Sequence, residues 1–402
     1  MASERALFPE IYDHSGRSGI LPWQEIRQLV DIGRISANIN IPDSQIQPAS
    51  LDLRLGREAF RVQASFLRGR SATFLTRVHE LLQGTIDLTR PDPEVLQPGL
   101  VYIIPLVERL KLPNDVQGVA NPKSTTGRLD IFTRLITECG DEFDHVPKGY
   151  SGQLYVEVSS RTFPVRLRAG MSLNQLRFVR GHSSPLGNGN LRELAKHQHL
   201  VCDDEGRPDK SHVNEGVGIT VDLDSDGRDS SIVAYRAKRK CAALIDLAKL
   251  NHYDPADFWE PVWRPRNGRI ILNTDGFYLL ASKRRVRVPV DHAAEMLAHD
   301  PSMGEFRVHY AGFFDPGFGY GATGEIKGTK AVLEVRAYEV DILLEDDALV
   351  GTLHYYPMAA VPERVYGTTI GSSYQQQGLA LSKQFKRDEV RWARNVQNFA
   401  IA

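Results

Sequence analysis

The chain repeats itself, and that constrains its fold more than any other feature. Tyr102 stands eleven residues before Pro113 and Tyr278 eleven before Pro289, an offset of 176 between the two segments. Further on, Val156-Glu157-Val158 matches Leu333-Glu334-Val335 at an offset of 177. The same 177 carries Val165 to Ile342, Leu167 to Leu344, Leu176 to Leu353 and Phe178 to Tyr355. Apolar positions kept in register over several short runs mark two copies of one unit. Upstream, Leu51-Asp52-Leu53 finds Val221-Asp222-Leu223 at an offset of 170, and Ile86-Asp87-Leu88 finds Ile245-Asp246-Leu247 at 159, smaller spacings that loop insertions would produce.

The repeated unit reads as β. From about Pro48 onward, runs such as Val101 to Ile104, Leu154 to Val158 and Gln175 to Phe178 are separated by Gly, Pro, Asp and Asn, and several alternate apolar with polar. Helical spacing is confined to the ends. Leu21 to Val30 carries an apolar stripe, with Pro22 at its start and Gly33 to stop it, and Asp388 to Phe399 has the pattern of a last helix. The expected organisation is an N-terminal arm at 1–20, a first unit at 21–182, a polar linker at 183–217, a second unit with a C-terminal tail at 218–385, and a C-terminal helix at 386–402.

Composition narrows the function. Lys plus Arg is 49 and Asp plus Glu is 50, a balance that disfavours a nucleic-acid binder. No apolar run is long enough to cross a bilayer, and Met1 to Arg5 leads into no signal-peptide stretch. Cys139, Cys202 and Cys241 are far apart and odd in number, which suits a reducing cytoplasm. A zinc deaminase needs a metal-binding His or Cys with a nearby Glu, then a tight Cys pair; no His-x-Glu run and no two neighbouring cysteines are present. The tight pair His197-Gln198-His199 falls in the polar linker. There is no P-loop and no nucleophile-elbow motif.

Two features remain. Lys123-Ser124-Thr125-Thr126-Gly127-Arg128 gathers two cations, three hydroxyls and a glycine, a set able to bind phosphate. Alone, it equally suits a capped turn. The second is the glutamate of each copy, Glu157 and Glu334, flanked by apolar residues. A carboxylate there either pairs with a cation, faces water, or has a raised pKa suited to proton transfer.

Taken together these residues resemble the dCTP deaminases of the trimeric dUTPase-like superfamily. Ile46 to Gly56, preceded by the helix and Gly33-Arg34-Ile35-Ser36, looks like their N-terminal signature. Lys123-Ser124-Thr125…Arg128 resembles their Arg-Ser-Ser…Arg loop, and Gly149-Tyr150-Ser151-Gly152…Val156-Glu157 resembles the segment that carries their catalytic glutamate. In the second copy, Ala311 to Phe318, with Asp315-Pro316-Gly317, resembles their Asp-Pro-Gly-Trp turn. Tyr366, then Tyr374-Gln375-Gln376-Gln377-Gly378, resembles the tail that folds over nucleotide. The departures are complementary. Copy one has Pro147-Lys148-Gly149 where the turn aspartate belongs. Copy two has His299-Asp300-Pro301-Ser302 in place of the Ser-rich loop, and carries an insertion from Gly319 to Gly328.

The resemblance implies an all-β chain of two tandem dUTPase-like distorted barrels of jelly-roll type, in a homotrimer or hexamer. It implies zinc-independent hydrolysis of dCTP to dUTP and ammonia, with Mg2+ accompanying the triphosphate and neither nucleic acid nor membrane as partner. Glu157 is the expected general base, with Glu334 its rival should the site be shared between copies. Ser124 and Arg128 are expected to act with it. Lys123, Thr125, Thr126, Gly127, Ala311, Asp315, Tyr366, Tyr374, Gln376 and Gln377 are expected to bind nucleotide. A dUTPase or a bifunctional deaminase–diphosphatase, a non-catalytic nucleotide sensor, and a purely structural second copy are the alternatives.

Overall fold

The computed structural model describes residues 17–67, 73–209, 212–228, 231–239, 241, 243–298, 306–308, 312–337, 340–367, 374–375 and 377–387. The expected helix beyond 387, Ala311 and Gln376 therefore lie outside the described residues, as do residues 1–16 of the N-terminal arm and the 299–302 segment.

The first copy is a two-sheet barrel. One sheet runs Leu82–Asp87, Glu58–Val62, Val101–Lys111, Ser151–Ser160 and Ile131–Thr137, with Ile35–Ser36 beside Val101–Lys111. The other runs Gly19–Ile20, Ser172–Arg180, Val116–Pro122 and His145–Val146, with Leu51–Arg54 also on Ser172–Arg180. Alternation explains the placement: Tyr102, Ile104, Leu106 and Leu110 point into the core from one strand. The helix Trp23–Asp31 buries Trp23, Ile26 and Leu29, and Gly33 at φ +74° lets the chain turn away after it.

The second copy repeats the plan. One sheet runs Trp259–Trp263, Ile232–Ala237, Phe277–Val286, Thr329–Ala337 and Phe306–Val308. The other runs Val217–Thr220, Leu349–Pro357, His292–Ala298 and Phe313–Phe314. The two-barrel, all-β expectation holds, and the central strands keep the expected offset. Glu157 lies opposite Ile103, and Glu334 opposite Leu279.

The two upstream matches do not hold. Leu51 pairs with Leu176, whereas Leu353, the counterpart of Leu176, pairs with Val217. Val217, not Val221, thus stands where Leu51 does. Similarly Thr85 and Pro261 occupy matching rungs, which makes Val262 the counterpart of Ile86. An apolar–Asp–apolar triplet is too common among alternating strands to fix register; the hydrogen-bonded ladder fixes it.

The stretch at 183–217 is more than polar loop. Asn188–Gln198 is helical, with Leu191 buried in the second core, and Val201–Cys202 joins the edge of Phe277–Val286.

The copies are joined by a continuous apolar surface. The first core runs on into Tyr235, Phe258, Trp259, Phe277, Leu279 and Val332 of the second copy. Ile245–Asp246 pairs in parallel with Val165–Arg166, and Arg168 donates to Asp246 at 2.5 and 2.8 Å. Arg336 crosses from the second copy to the buried Asp130 of the first, which Thr162 also donates to at 2.5 Å. A buried ion pair of this kind is tolerable only when most of its remaining valences are filled, and here Arg336 also donates to the Asp275 carbonyl at 2.8 Å and to Thr162 at 3.2 Å.

Candidate active site

A cleft of about 260 Å³ opens along this junction, and each copy supplies one wall. The first copy contributes Gln47, Asp52, Gln175 and the segment around Lys123, Ser124, Thr125, Gly127 and Arg128. The second contributes Phe313, Phe314, Asp315, Phe318, Glu334 and Tyr366, and the tail adds Tyr374, Gln377 and Lys383.

The cation-rich segment sits where the strand Val116–Pro122 ends and a single helical turn, Ser124–Gly127, begins. That turn is fixed from beneath: Thr126 is buried and donates to the carbonyl of Leu173 at 2.9 Å. Thr126 is therefore a brace and does not line the cleft. Lys123 is paired with Asp52, and Thr125 shares a 3.0 Å hydrogen bond with the Tyr374 hydroxyl. Among the described residues, the Arg128 guanidinium is held by the tail. It donates to the Ala380 carbonyl and to Gln377 Oε1, both at 3.0 Å, while Tyr374 lies across its guanidinium with the ring centre 3.8 Å away.

Opposite stand two buried carboxyls from the second copy. Glu334 is pushed up to about 7 by burial, against the pull of Arg128. Asp315 is pushed up to about 6 by burial, against the pull of Arg177, and its Oδ1 is enclosed without a partner. Arg177 lies behind them with its guanidinium over Phe313 at 3.9 Å. An aromatic corner, Phe314 against Phe318 at 5.0 Å and Phe318 against Tyr366 at 5.6 Å, closes one end. Cations, hydroxyls, an apolar corner and a carboxyl poised near neutrality suit an anionic ligand with a flat ring, and a proton transfer beside it.

Glu157 is not among these residues. It is 2% exposed, and its Oε1 accepts from Arg134 at 3.1 and 2.6 Å. The structure thus brings together Ser124, Arg128, Asp315 and Glu334, and leaves Glu157 apart. Sequence reasoning missed Lys383, Gln47 and Gln175, which carry no signal that separates them from surface polar residues. Phe313 and Phe314 could have been found, since two aromatics directly before Asp-Pro-Gly are rarely a plain turn. Among the described residues no three His, Cys, Asp or Glu side chains gather as a metal site. Nor is any described helix long and apolar enough to cross a membrane.

Comparison with known proteins gives consistent matches. Residues 17–182 match the family model of the 2'-deoxycytidine 5'-triphosphate deaminase N-terminal domain, and residues 187–385 that of the C-terminal domain. A crystal structure of 2'-deoxycytidine 5'-triphosphate deaminase from Agrobacterium tumefaciens is 43% identical, with a TM-score of 0.79, over 85% of this chain and 99% of that one. A dCTP deaminase of Natronomonas pharaonis is 33% identical over 40% of this chain and 80% of its own length. A protein of Dictyoglomus thermophilum named dCTP deaminase, dUMP-forming, is 30% identical over the same shares.

Proposed function

Because the chain belongs to the 2'-deoxycytidine 5'-triphosphate deaminase family, we propose that it hydrolyses dCTP to dUTP and ammonia in the cleft between its two copies, with Glu334 as general base. The observation that carries this reading is the meeting of Ser124 and Arg128 from one copy with Glu334 from the other. Glu157 was the first choice on sequence. Its pairing with Arg134, and its absence from the cleft that Glu334 lines, favour the rival.

The reaction exchanges an amino group for an oxygen. Water attacks C4 of the cytosine ring, and Glu334 takes its proton. The proton is then returned to the 4-amino nitrogen, the C4–N bond breaks to release ammonia, and the remaining hydroxyl proton passes to ring N3 as the C4 carbonyl forms. A carboxyl whose pKa lies near 7 can both accept and return that proton close to neutral pH. Ser124 orients the water or the edge of the base. Arg128 supplies positive charge toward the phosphates or the developing anion, held in place by Gln377 and Ala380. Lys123 and Lys383 serve the phosphate chain, and the enclosed Asp315 Oδ1 is an acceptor left for a nucleotide hydroxyl. Magnesium is taken to arrive on the triphosphate oxygens, since this ion keeps much of its water and needs no protein cage. A threefold assembly of chains and a cytoplasmic location belong to the same proposal, the first open to a mass measurement in solution.

The test is ammonia release from dCTP with magnesium and no added zinc. Activity lost to a chelator and restored by zinc but not by magnesium would overturn the mechanism. Nucleotide bound without ammonia would favour a sensor. Some relatives are named dUMP-forming, so pyrophosphate should be measured in the same assay; its release in step with ammonia would extend the reaction to diphosphate hydrolysis.

A further inference from the structure

The cleft uses only one face of each copy, and the matching faces left over have been treated differently. In the second copy, Val332, Glu334 and Arg336 project from the outer side of Thr329–Ala337, and that side is covered by the first copy. An offset of 177 makes Tyr155, Glu157 and Ser159 their counterparts on the first copy. The first two are covered from within the same barrel. The helix Phe74–Leu81, capped by Thr73, lays Phe74 against Tyr155 at 4.5 Å between ring centres, with Val78 buried beside it. Arg134 then closes over Glu157. It is bonded to it at 2.6 Å, donates to Ser65 at 2.5 Å, and stacks on Phe143 at 3.6 Å.

We infer that helix 74–81 and Arg134 stand where a neighbouring copy would otherwise dock, so that each chain carries a single nucleotide site and Glu157 is an ion-pair residue rather than a second base. The inference rests on the reading of the inter-copy cleft as the active site, and specifies how many such sites a chain holds. Three features of the first copy converge on it. One oxygen of the carboxylate that would serve a second site is already engaged by a cation, and the other is buried. The apolar face around it is filled by its own helix. The first copy also lacks the turn aspartate, having Pro147-Lys148-Gly149 there.

Calorimetric titration of the full-length Glu334→Gln chain with dCTP and magnesium counts the sites directly, because turnover is suppressed while the cleft keeps its shape. One nucleotide per chain is expected. Two per chain would overturn the inference and leave the reading of the cleft standing, whereas none would overturn both. A second measurement does not depend on that variant. Glu157→Gln, which preserves volume, should leave kcat and KM within about twofold of the parent. A hundredfold loss in a folded protein would reveal a working base at Glu157 and overturn the inference.

Discussion

The two copies connect the same pair of strands in opposite ways. In the first, the segment between Glu58–Val62 and Leu82–Asp87 folds back as the helix Phe74–Leu81 over its own sheet. In the second, the segment between Ile232–Ala237 and Trp259–Trp263 reaches outward, where Ile245–Asp246 pairs with Val165–Arg166 of the first copy. One connection seals a face and the other builds an interface. Duplication thus supplied two equivalent carboxylates, and the connections decided which of them meets the Lys123–Arg128 segment. Chemistry is allotted here by what covers a strand, not by the strand itself.

The comparison can be broken most directly at the two glutamates. Replacing Glu334 with Gln should lower kcat by roughly a hundredfold to ten-thousandfold, the range of a lost general base. An active Glu334→Gln enzyme beside a dead Glu157→Gln one in the ammonia assay would reverse the assignment. Next in size, Arg128→Ala should cost about 3–4 kcal/mol of transition-state stabilisation, a hundredfold or more in kcat. Its neighbour Thr126→Ala should act mainly on stability, since Thr126 faces Leu173. Near-parental rates for Arg128→Ala would reduce the loop to a turn.

The junction itself is tested by Arg336→Met, which strands the buried Asp130. A loss of about 3–5 kcal/mol in denaturant unfolding is expected, the usual penalty for breaking a buried pair from one side. A change near zero would mean the copies are held by apolar contact alone.

The smallest effects come from pH. The rate should rise with pH along an acidic limb centred near 7, the value to which burial raises Glu334, because the base must be ionised to accept a proton. Stability runs the other way. A carboxyl with a raised folded pKa favours the fold fully below its unfolded pKa of 4.5, and that contribution is lost as pH climbs through about 7. Glu334→Gln should therefore raise the melting temperature at pH 8 and leave it nearly unchanged at pH 4. The same increment at both would show that Glu334 is not perturbed.

Much of this molecule was legible before its structure. The offset near 177 identified the duplicated barrel because strand alternation leaves apolar residues at fixed rungs, as Leu176 and Leu353 do. It also identified Glu157 and Glu334 as equivalents. It could not say which of them meets Ser124, because equivalence in sequence describes a barrel's own frame and not its neighbour. The decisive residue, Arg134, looks like any cation on an alternating strand until Glu157 is seen opposite it. Upstream, triplets such as Val221-Asp222-Leu223 misled, since local pattern carries no information about ladder partners.

The tail has a practical consequence for anyone handling the protein. Phe385 is wedged among Tyr253, Phe258 and Trp259, and the backbones of Asn251 and His252 hold Lys383 and Gln384 in place. Upstream of that wedge, the only described partners of the Arg128 guanidinium nitrogens are Gln377 and Ala380. Clipping by a protease in the 377–385 stretch would therefore register as a lesion in the proposed reaction centre, although the cut lies 249 residues or more beyond Arg128 in the chain. Preparations should be checked for an intact tail by mass before any low specific activity is blamed on substrate choice.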